Sequence, residues 1–327
     1  MRKIFIIIAA VAGVVVIASC SLGLGRFPVP FADVVAALTG GDIPEACRTV
    51  LFQIRLPRIA AAILVGAAMA AAGASYQSMF VNPLVSPGIL GVLAGAGFGA
   101  AFGMLISDSW FCVQVMAFGF GLLAASVSVC IARFYGGDRV LMLILGGIIT
   151  SSMFTALLSA VKYLADPADE LPAITYWLMG SLTMVDPGSV AAVSPMIIAG
   201  VIVMCLCAGR LNLLSMGDDE ARTMGVNPRR SRLLIVIAAT VTCVAAVSIS
   251  GIIGWIGLLT PHIGRMLIGP DNRFLIPFSA LTGAILLLLA DNLSRLFLPV
   301  ELPLGITTSL FGIPFFAFCL KRARRKW

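Results

Sequence analysis

Few residues in this chain could do chemistry, and their arrangement excludes most of it. His262 is the single histidine, no H-E-x-x-H occurs, and the carboxylates do not cluster, so a hydrolytic or metal site would have to be built on one imidazole. No G-x-x-x-x-G-K-[ST] loop is present, and none of Lys3, Lys162, Lys321 and Lys326 follows a glycine. The chain therefore cannot cradle a nucleotide phosphate in the P-loop manner, and any ATP chemistry must belong to a partner. The eight cysteines are scattered without a C-x-x-C, and Cys205 and Cys207 stand about 200° apart on a helix, so most read as small apolar packers. A disulfide between Cys47 and Cys112, both placed on the outer side, stays open as an alternative.

What remains is one polar island, Arg210 to Arg232, which gathers Asp218, Asp219, Glu220, Arg222, Arg229, Arg230 and Arg232 in a chain with only 11% charged residues. Leu213, Leu214, Met216, Ala221, Met224 and Val226 are interleaved with these charges, which a purely solvated loop would not need. The acids Asp218 to Glu220 suit the start of a helix, Gly225 suits its end, and Asn227-Pro228 restarts the chain. The island predicts a short docking helix that offers a structured surface to a partner in the aqueous phase.

The elements that carry this island are membrane helices. Hydrophobic residues make up 60% of the 327-residue chain and the mean hydropathy is +1.06, values that point to an all-α polytopic membrane protein. Apolar runs of about 20 residues, the length that crosses hydrocarbon, place ten transmembrane helices at 4–22, 59–80, 88–107, 110–132, 140–163, 189–209, 231–250, 252–268, 274–294 and 304–320. The eighth is broken by Gly251, Gly254, Gly257, Pro261 and Gly264, which lipid tolerates only where the segment packs on protein or lines a cavity. An even number of spans puts both termini on one side. Of the 22 Lys and Arg residues only Arg26, Arg48, Arg55, Arg58, Lys162 and Arg295 then fall outside, so both termini and the island are cytoplasmic. The net charge of +7 is thus mostly a topology signal and not a nucleic-acid patch. Residues 17–20 mimic a lipoprotein cleavage box, but removing the first span would invert this charge bias.

Titratable groups inside the spans are scarce. Only Asp291 lies near the end of an apolar run, beside Asn292 and Arg295, where a local ion pair near the outer interface accounts for it. An ion-coupled secondary transporter would need more such groups along its path; it and a membrane anchor that moves nothing are the alternatives of another class.

Several segments carry a family resemblance. Arg55-Leu-Pro-Arg58, Gly66 to Gly73 followed by Gln77, and Asn82-Pro-Leu-Val-Ser-Pro-Gly88-Ile-Leu-Gly91 resemble the FecCD-type permeases of bacterial ABC importers. So do Gly254-Trp-Ile-Gly-Leu-Leu-Thr-Pro-His-Ile-Gly-Arg265, Leu289-Ala-Asp-Asn-Leu-Ser-Arg295 and Glu301-Leu-Pro-Leu-Gly-Ile-Thr307. The resemblance covers nearly the whole chain as one permease domain, residues 1–327, and implies the type II ABC importer permease fold in the bacterial inner membrane. It implies two permease copies around a central path, two cytosolic ATPase subunits that bind ATP and Mg, and a periplasmic or lipid-anchored substrate-binding protein. The chain itself would need no cofactor or metal.

The resemblance also assigns roles. Met216, Gly217, Asp218, Glu220, Ala221, Arg222 and Gly225, within a cytoplasmic loop at 211–230, correspond to the family's coupling helix. Arg55, Arg58 and Arg295 match positions that pair with glutamates on the binding protein, a role suited to exposed guanidinium groups. Asn82 and Leu84 match the inner gate. The second constriction falls near Gly137 and Asp138, where this chain departs from the small hydroxyl residues of the family. His262 matches the family's ordinary T-P-H segment and not a haem ligand. Ferric siderophore is the expected cargo, with haem and cobalamin as alternatives.

Overall fold

The computed structural model describes residues 1–25, 27–135, 139–296 and 300–323, and among them the secondary structure is helical throughout. Helix α1 (Arg2–Gly23) is followed by α2 (Phe31–Leu38) and α3 (Glu45–Thr49), which runs through a π-helical stretch, Val50–Arg55, into α4 (Leu56–Met79). Then come α5 (Val92–Ile106), α6 (Trp110–Tyr135), α7 (Arg139–Leu164), α8 (Glu170–Leu178), α9 (Pro187–Leu206) and α10 (Ala208–Leu214). The chain closes with α11 (Asp218–Thr223), α12 (Pro228–Ser250), α13 (Ile256–Ile268), α14 (Asn272–Leu296) and α15 (Leu304–Ala323).

Seven of these helical stretches are long and apolar enough to cross a membrane: α1, Glu45–Met79 including α4, α6, α7, α9, α12 and α14. The shorter apolar helices α5, α13 and α15 occupy the other three segments expected to span. The eighth segment departs from its expected bounds. Its helix begins at Ile256 and not at residue 252, and 13 residues reach only about 20 Å, short of the hydrocarbon thickness of about 30 Å. The stretch before it is irregular because Gly251 (φ 66°) and Trp255 (φ 68°) leave the helical region of backbone space. Gly251 and Ile253 are buried against protein while Ile252 and Gly254 line a cleft, the two settings in which a membrane tolerates irregular backbone. The Ser250 carbonyl accepts from the Ser181 amide at 2.8 Å, and the start of α15 bonds the α8 end through Leu304 N to Gly180 O and Gly305 N to Met179 O.

Helix α4 is the spine. It packs against α14, α12, α13 and α9, and most of its residues are buried, as are those of α12, whereas α1, α6, α7 and α9 bury less than a third of theirs. Its composition explains the position: Ala61, Ala62, Ala68, Ala70, Ala71, Ala72 and Ala74 are fully buried, and small side chains let membrane helices approach to backbone contact. Backbone contact is reciprocal at the crossing with α14, where a Cβ added at Gly66 would strike the Gly283 carbonyl, and one at Gly283 the Gly66 carbonyl. Higher in hydrogen-bonding detail, Tyr76 Oη sits 3.0 Å from Thr240 Oγ1 and ties α4 to α12. Cys47 and Cys112 are both free thiols.

The crossing gives a direct expectation. Gly66→Ala and Gly283→Ala should each lower the detergent-solubilised chain's thermal stability by an amount corresponding to about 1–3 kcal/mol, because the obstructing atoms are backbone and cannot rotate away. Gly119→Ala, where a Cβ would meet nothing within 4 Å, should be neutral in the same unfolding assay.

Candidate functional site

The polar island folds as the sequence predicts. Helix α11 starts on Asp218, Asp219 and Glu220 and stops in a Schellman motif, with Gly225 N donating to Arg222 O at 3.0 Å and Val226 N to Ala221 O at 2.9 Å. Gly225 holds φ 79°, the left-handed conformation that the motif requires. Asn227 then caps α12, its side chain accepting from Arg230 N at 3.2 Å, with Pro228 in the first turn. Gly217 precedes the helix at φ 134°, where its missing Cβ leaves room for the Glu220 carboxylate.

This short helix is anchored by few groups. Ala221 is fully buried beneath it, and Asp218 pairs with Arg232 of α12 at 2.6 Å. Asp219 and Arg222 pair at 2.8 Å on the open side, where such a contact contributes little. Met216 and Met224 are 67% and 68% exposed, so flexible apolar side chains bracket a charged helix on the surface.

Beside it, α10 is held far more firmly. Leu211 and Leu214 are buried, and Asn212 bonds the turn between α13 and α14: its Nδ2 donates to Asp271 Oδ1 at 2.6 Å, and its Oδ1 accepts from Asn272 N at 2.9 Å and Asn272 Nδ2 at 2.8 Å. Burial pushes the Asp271 carboxyl up, but donation from Asn212 and the Arg273 amide outweighs it, and the group is held below the usual carboxylate range. Asn272 in turn accepts from Ser78 Oγ, in the last turn of α4, at 2.6 Å.

The α4–α5 turn follows immediately. Asn82 and Leu84 lie exposed at its tip, with Leu84 N donating to Asn82 Oδ1 at 2.9 Å and Asn82 N to Gln77 O at 3.0 Å. Val81 stands at φ 49°, a left-handed position that a β-branched residue rarely takes. Behind the tip, Gln77 Nε2 donates to Val85 O at 3.3 Å and Leu258 O at 3.4 Å, while Arg265 donates to Gln77 Oε1. Gly137 and Asp138 lie outside the described residues. His262 has its ring 6.2 Å from that of Phe316, an edge-on packing contact.

At the opposite ends of the same helices, Arg55, Arg58 and Arg295 come together, but not as the exposed groups expected from the sequence. They are only 3%, 5% and 7% exposed. Arg58 Nε donates to Asp291 Oδ1 at 2.8 Å and its Nη2 to Glu301 Oε2 at 2.9 Å. Arg295 Nε lies 3.2 Å from Asp291 Oδ2, and its Nη2 donates to Asn292 Oδ1 at 2.5 Å. Arg55 donates to the Leu22 and Phe27 carbonyls. Exposure failed as an expectation because each guanidinium finds partners out of water: carboxylates distant in sequence for Arg58, Asp291 of its own helix for Arg295, and main-chain carbonyls for Arg55. The local pair foreseen for Asp291 and Arg295 is present, and Arg58 joins it from α4.

An open cleft of about 610 Å³ lies along α15, lined by Leu178, Met179, Ile252, Gly254, Gly305, Ile306, Ser309, Leu310, Ile313 and Pro314. Glu301 Oε2, which holds Arg58, also accepts from Thr183 Oγ1 at 3.0 Å and so joins the α8–α9 connection to the entrance of α15. Sequence reasoning found the island and the arginines. It missed Asn212, Asp271, Asn272 and Ser78, whose only signal was a polar side chain at the end of an apolar run.

Breaking the outer cluster should be costly. Arg58→Met removes one of the two guanidinium partners of buried Asp291, leaving Arg295 as the other, and should destabilise the solubilised chain by about 3 kcal/mol. Arg48→Met, an exposed outer arginine, should change it by less than about 0.5 kcal/mol in the same thermal unfolding measurement. Equal effects would contradict the pairing described here.

Comparisons with known proteins agree with this architecture. A molybdate import system permease, MolB of Haemophilus influenzae, is 37% identical over 319 residues, covering 95% of this chain and 94% of its own. A probable iron chelatin transport permease of Helicobacter pylori is 38% identical over 275 residues, covering 84% and 83%. A solved inward-facing structure of a metal-chelate type ABC transporter superposes with a TM-score of 0.87 at 33% identity, covering 97% of this chain and 99% of that one. With a family model matching residues 11–322, the chain belongs to the FecCD transport family and is a multi-pass permease of the ABC-importer kind.

Proposed function

We propose that the chain is the membrane half of an ATP-driven importer in a bacterial inner membrane, paired with a second copy and carrying a ferric siderophore or a related metal chelate. The observation that carries this reading is α11: a capped, exposed helix bracketed by Met216 and Met224, on a chain whose sequence has no nucleotide-binding loop. Such a helix suits a cleft on a soluble partner, read by a few apolar anchors and a charged face. ATP and Mg belong to that partner, a cytosolic ATPase, and this chain holds no cofactor or metal. Met216, Gly217, Asp218, Glu220, Ala221, Arg222 and Gly225, inside the loop at 211–230, form the contact. Closure of the ATPase pair moves α11 and with it the inner ends of the spans.

Asn82 and Leu84 form the inner gate, together with Gly137 and Asp138 at the second constriction. The cleft beside α15 forms one wall of the path, and a second copy supplies the other. Its lining offers one hydroxyl and otherwise apolar surface, which suits a bulky cargo handed over whole. The substrate-binding protein docks over the outer cluster. Glutamates brought to that face compete with Asp291, Glu301 and main-chain carbonyls for Arg58, Arg295 and Arg55, so docking exchanges one set of partners for another. Haem and cobalamin remain alternative cargoes, and the name of the Haemophilus relative adds molybdate.

The test is reconstitution of the chain with its ATPase and binding protein in vesicles, scoring ATP hydrolysis and uptake for ferric siderophores, haem, cobalamin and molybdate. Stimulation by one cargo identifies it. Uptake that survives loss of ATP hydrolysis but collapses with the proton gradient would instead indicate a secondary transporter. Glu220→Arg should abolish uptake and reduce ATPase co-purification, while Gly225→Val, which places a β-branched residue at a left-handed position costing about 1–2 kcal/mol, should impair both in parallel. Unchanged association and uptake in both variants would remove α11 from the contact.

A further inference from the structure

On the cytoplasmic side one feature is left unused by the reading above: a polar relay that joins the segment carrying α11 to the segment carrying the gate. We propose that Asn212 is a positioning residue for transport, and that displacement of α10–α11 reaches the α4–α5 turn through the hydrogen-bonded path Asn212–Asn272–Ser78. The inference rests on the assignment of α11 as the ATPase contact and adds the residues by which that contact acts.

The geometry is specific. Asn212 spends its amide on the α13–α14 turn: Nδ2 to Asp271 Oδ1 at 2.6 Å, and Oδ1 from two nitrogens of Asn272 at 2.9 and 2.8 Å. Asn272 is 2% exposed, and its remaining side-chain oxygen accepts from Ser78 Oγ at 2.6 Å. Ser78 lies in the last turn of α4. Next to it, Gln77 gives its carbonyl to Asn82 N at 3.0 Å and its side-chain amide to Val85 O at 3.3 Å, which are the two ends of the exposed gate tip. A continuous line of directional contacts thus runs from α10 to the tip.

Two physical arguments give this line a transmitting role. Apolar packing of Leu211 and Leu214 would hold α10 against the bundle but would allow it to slide, because dispersion contacts are non-directional. Hydrogen bonds at a partly buried site fix one register, and moving one end without the other would leave the side chain of Asn272, itself 2% exposed, without its partners, which is costly. Helix α11 follows α10 after only Ser215, Met216 and Gly217 and packs on it, so a pull on α11 is delivered into α10, while the Asp218–Arg232 pair ties its start to α12. The far end is poised to respond, since Val81 is held at φ 49° at the edge of the tip.

The experiment uses the complete complex of the chain with its ATPase subunits in nanodiscs, with Leu84→Cys as reporter and a maleimide as the probe, so that no cargo is needed. In the otherwise native chain the labelling rate of Leu84→Cys should change between the ATP-free and the ATP–vanadate states. Asn212→Leu should retain ATPase co-purification and ATP hydrolysis while reducing that change roughly tenfold, the size of an ordinary coupling loss. Ser78→Ala, a milder change at the other end, should reduce it in the same direction and carries the test if Asn212→Leu does not purify as a monodisperse complex. The double variant should be no worse than Asn212→Leu alone, as expected for two links of one path.

An unaltered ATP-dependent change in either single variant, a merely lowered thermal stability with the change intact, or multiplicative losses in the double variant would overturn the relay. So would a native gate tip that does not respond to ATP. Failure of the native chain to recruit the ATPase at all would instead refute the importer reading beneath it, and the co-purification step separates the two.

Discussion

Hydrocarbon offers no partner to a backbone amide or a charge, and every distinctive feature of this chain is a response to that constraint. The spans are helices because only a helix satisfies its own main chain. The backbone departs from helix at Gly251–Trp255 only where the neighbouring segments of α8 and α15 press against it. Polar side chains are gathered at two levels near the ends of α4, with the ion-paired Arg58 at one and the neutral Ser78–Asn272 contact at the other. These positions are about 20 residues apart, or about 30 Å of helix, which is the thickness of the apolar layer.

Between the two levels the bundle is held by fit. The small residues of α4 allow backbone contact with α14, and at Gly66 and Gly283 that contact admits no side chain on either helix. A rigid spine of this kind makes the polar clusters at its ends mechanically dependent on each other. It is the arrangement a permease needs if an event on the cytoplasmic face is to be felt along the path, since packed interfaces pass on displacement in discrete steps and do not absorb it.

How much of this was legible in the sequence depended on the range of the interactions. The spans, the start of α11 on three acids, its end at Gly225 and the Asn227-Pro228 restart are decided by neighbours within a few residues, and all were readable. The break before α13 was readable as a weakness but not as an end, because its position is fixed by contacts with Ser181, Gly180 and Met179. The three outer arginines were correctly placed together and incorrectly exposed. The partners of Arg58 lie in α14 and in the segment after it, those of Arg55 are carbonyls in and after α1, and no local pattern announces that Asp291 and Glu301 will stand over Arg58. Asn212 was invisible for the same reason, since an asparagine near a helix end is ordinary until its partners are known.

The pairing of Arg58 with Asp291 spans 233 residues of sequence, and this separation has a consequence for how the chain is made. At about 5–20 residues per second, synthesis delivers the carboxylate on the order of 10–50 s after the arginine. Throughout that interval the early helices sit in the bilayer with a guanidinium that has no acid to meet, held at the headgroup level by its own length. The arrival of α14 is then the event that draws the arginine inward and closes the outer end. Biogenesis of this permease is therefore ordered from its last third, with the earlier spans waiting in a loosened state that the quality-control machinery of the membrane could recognise.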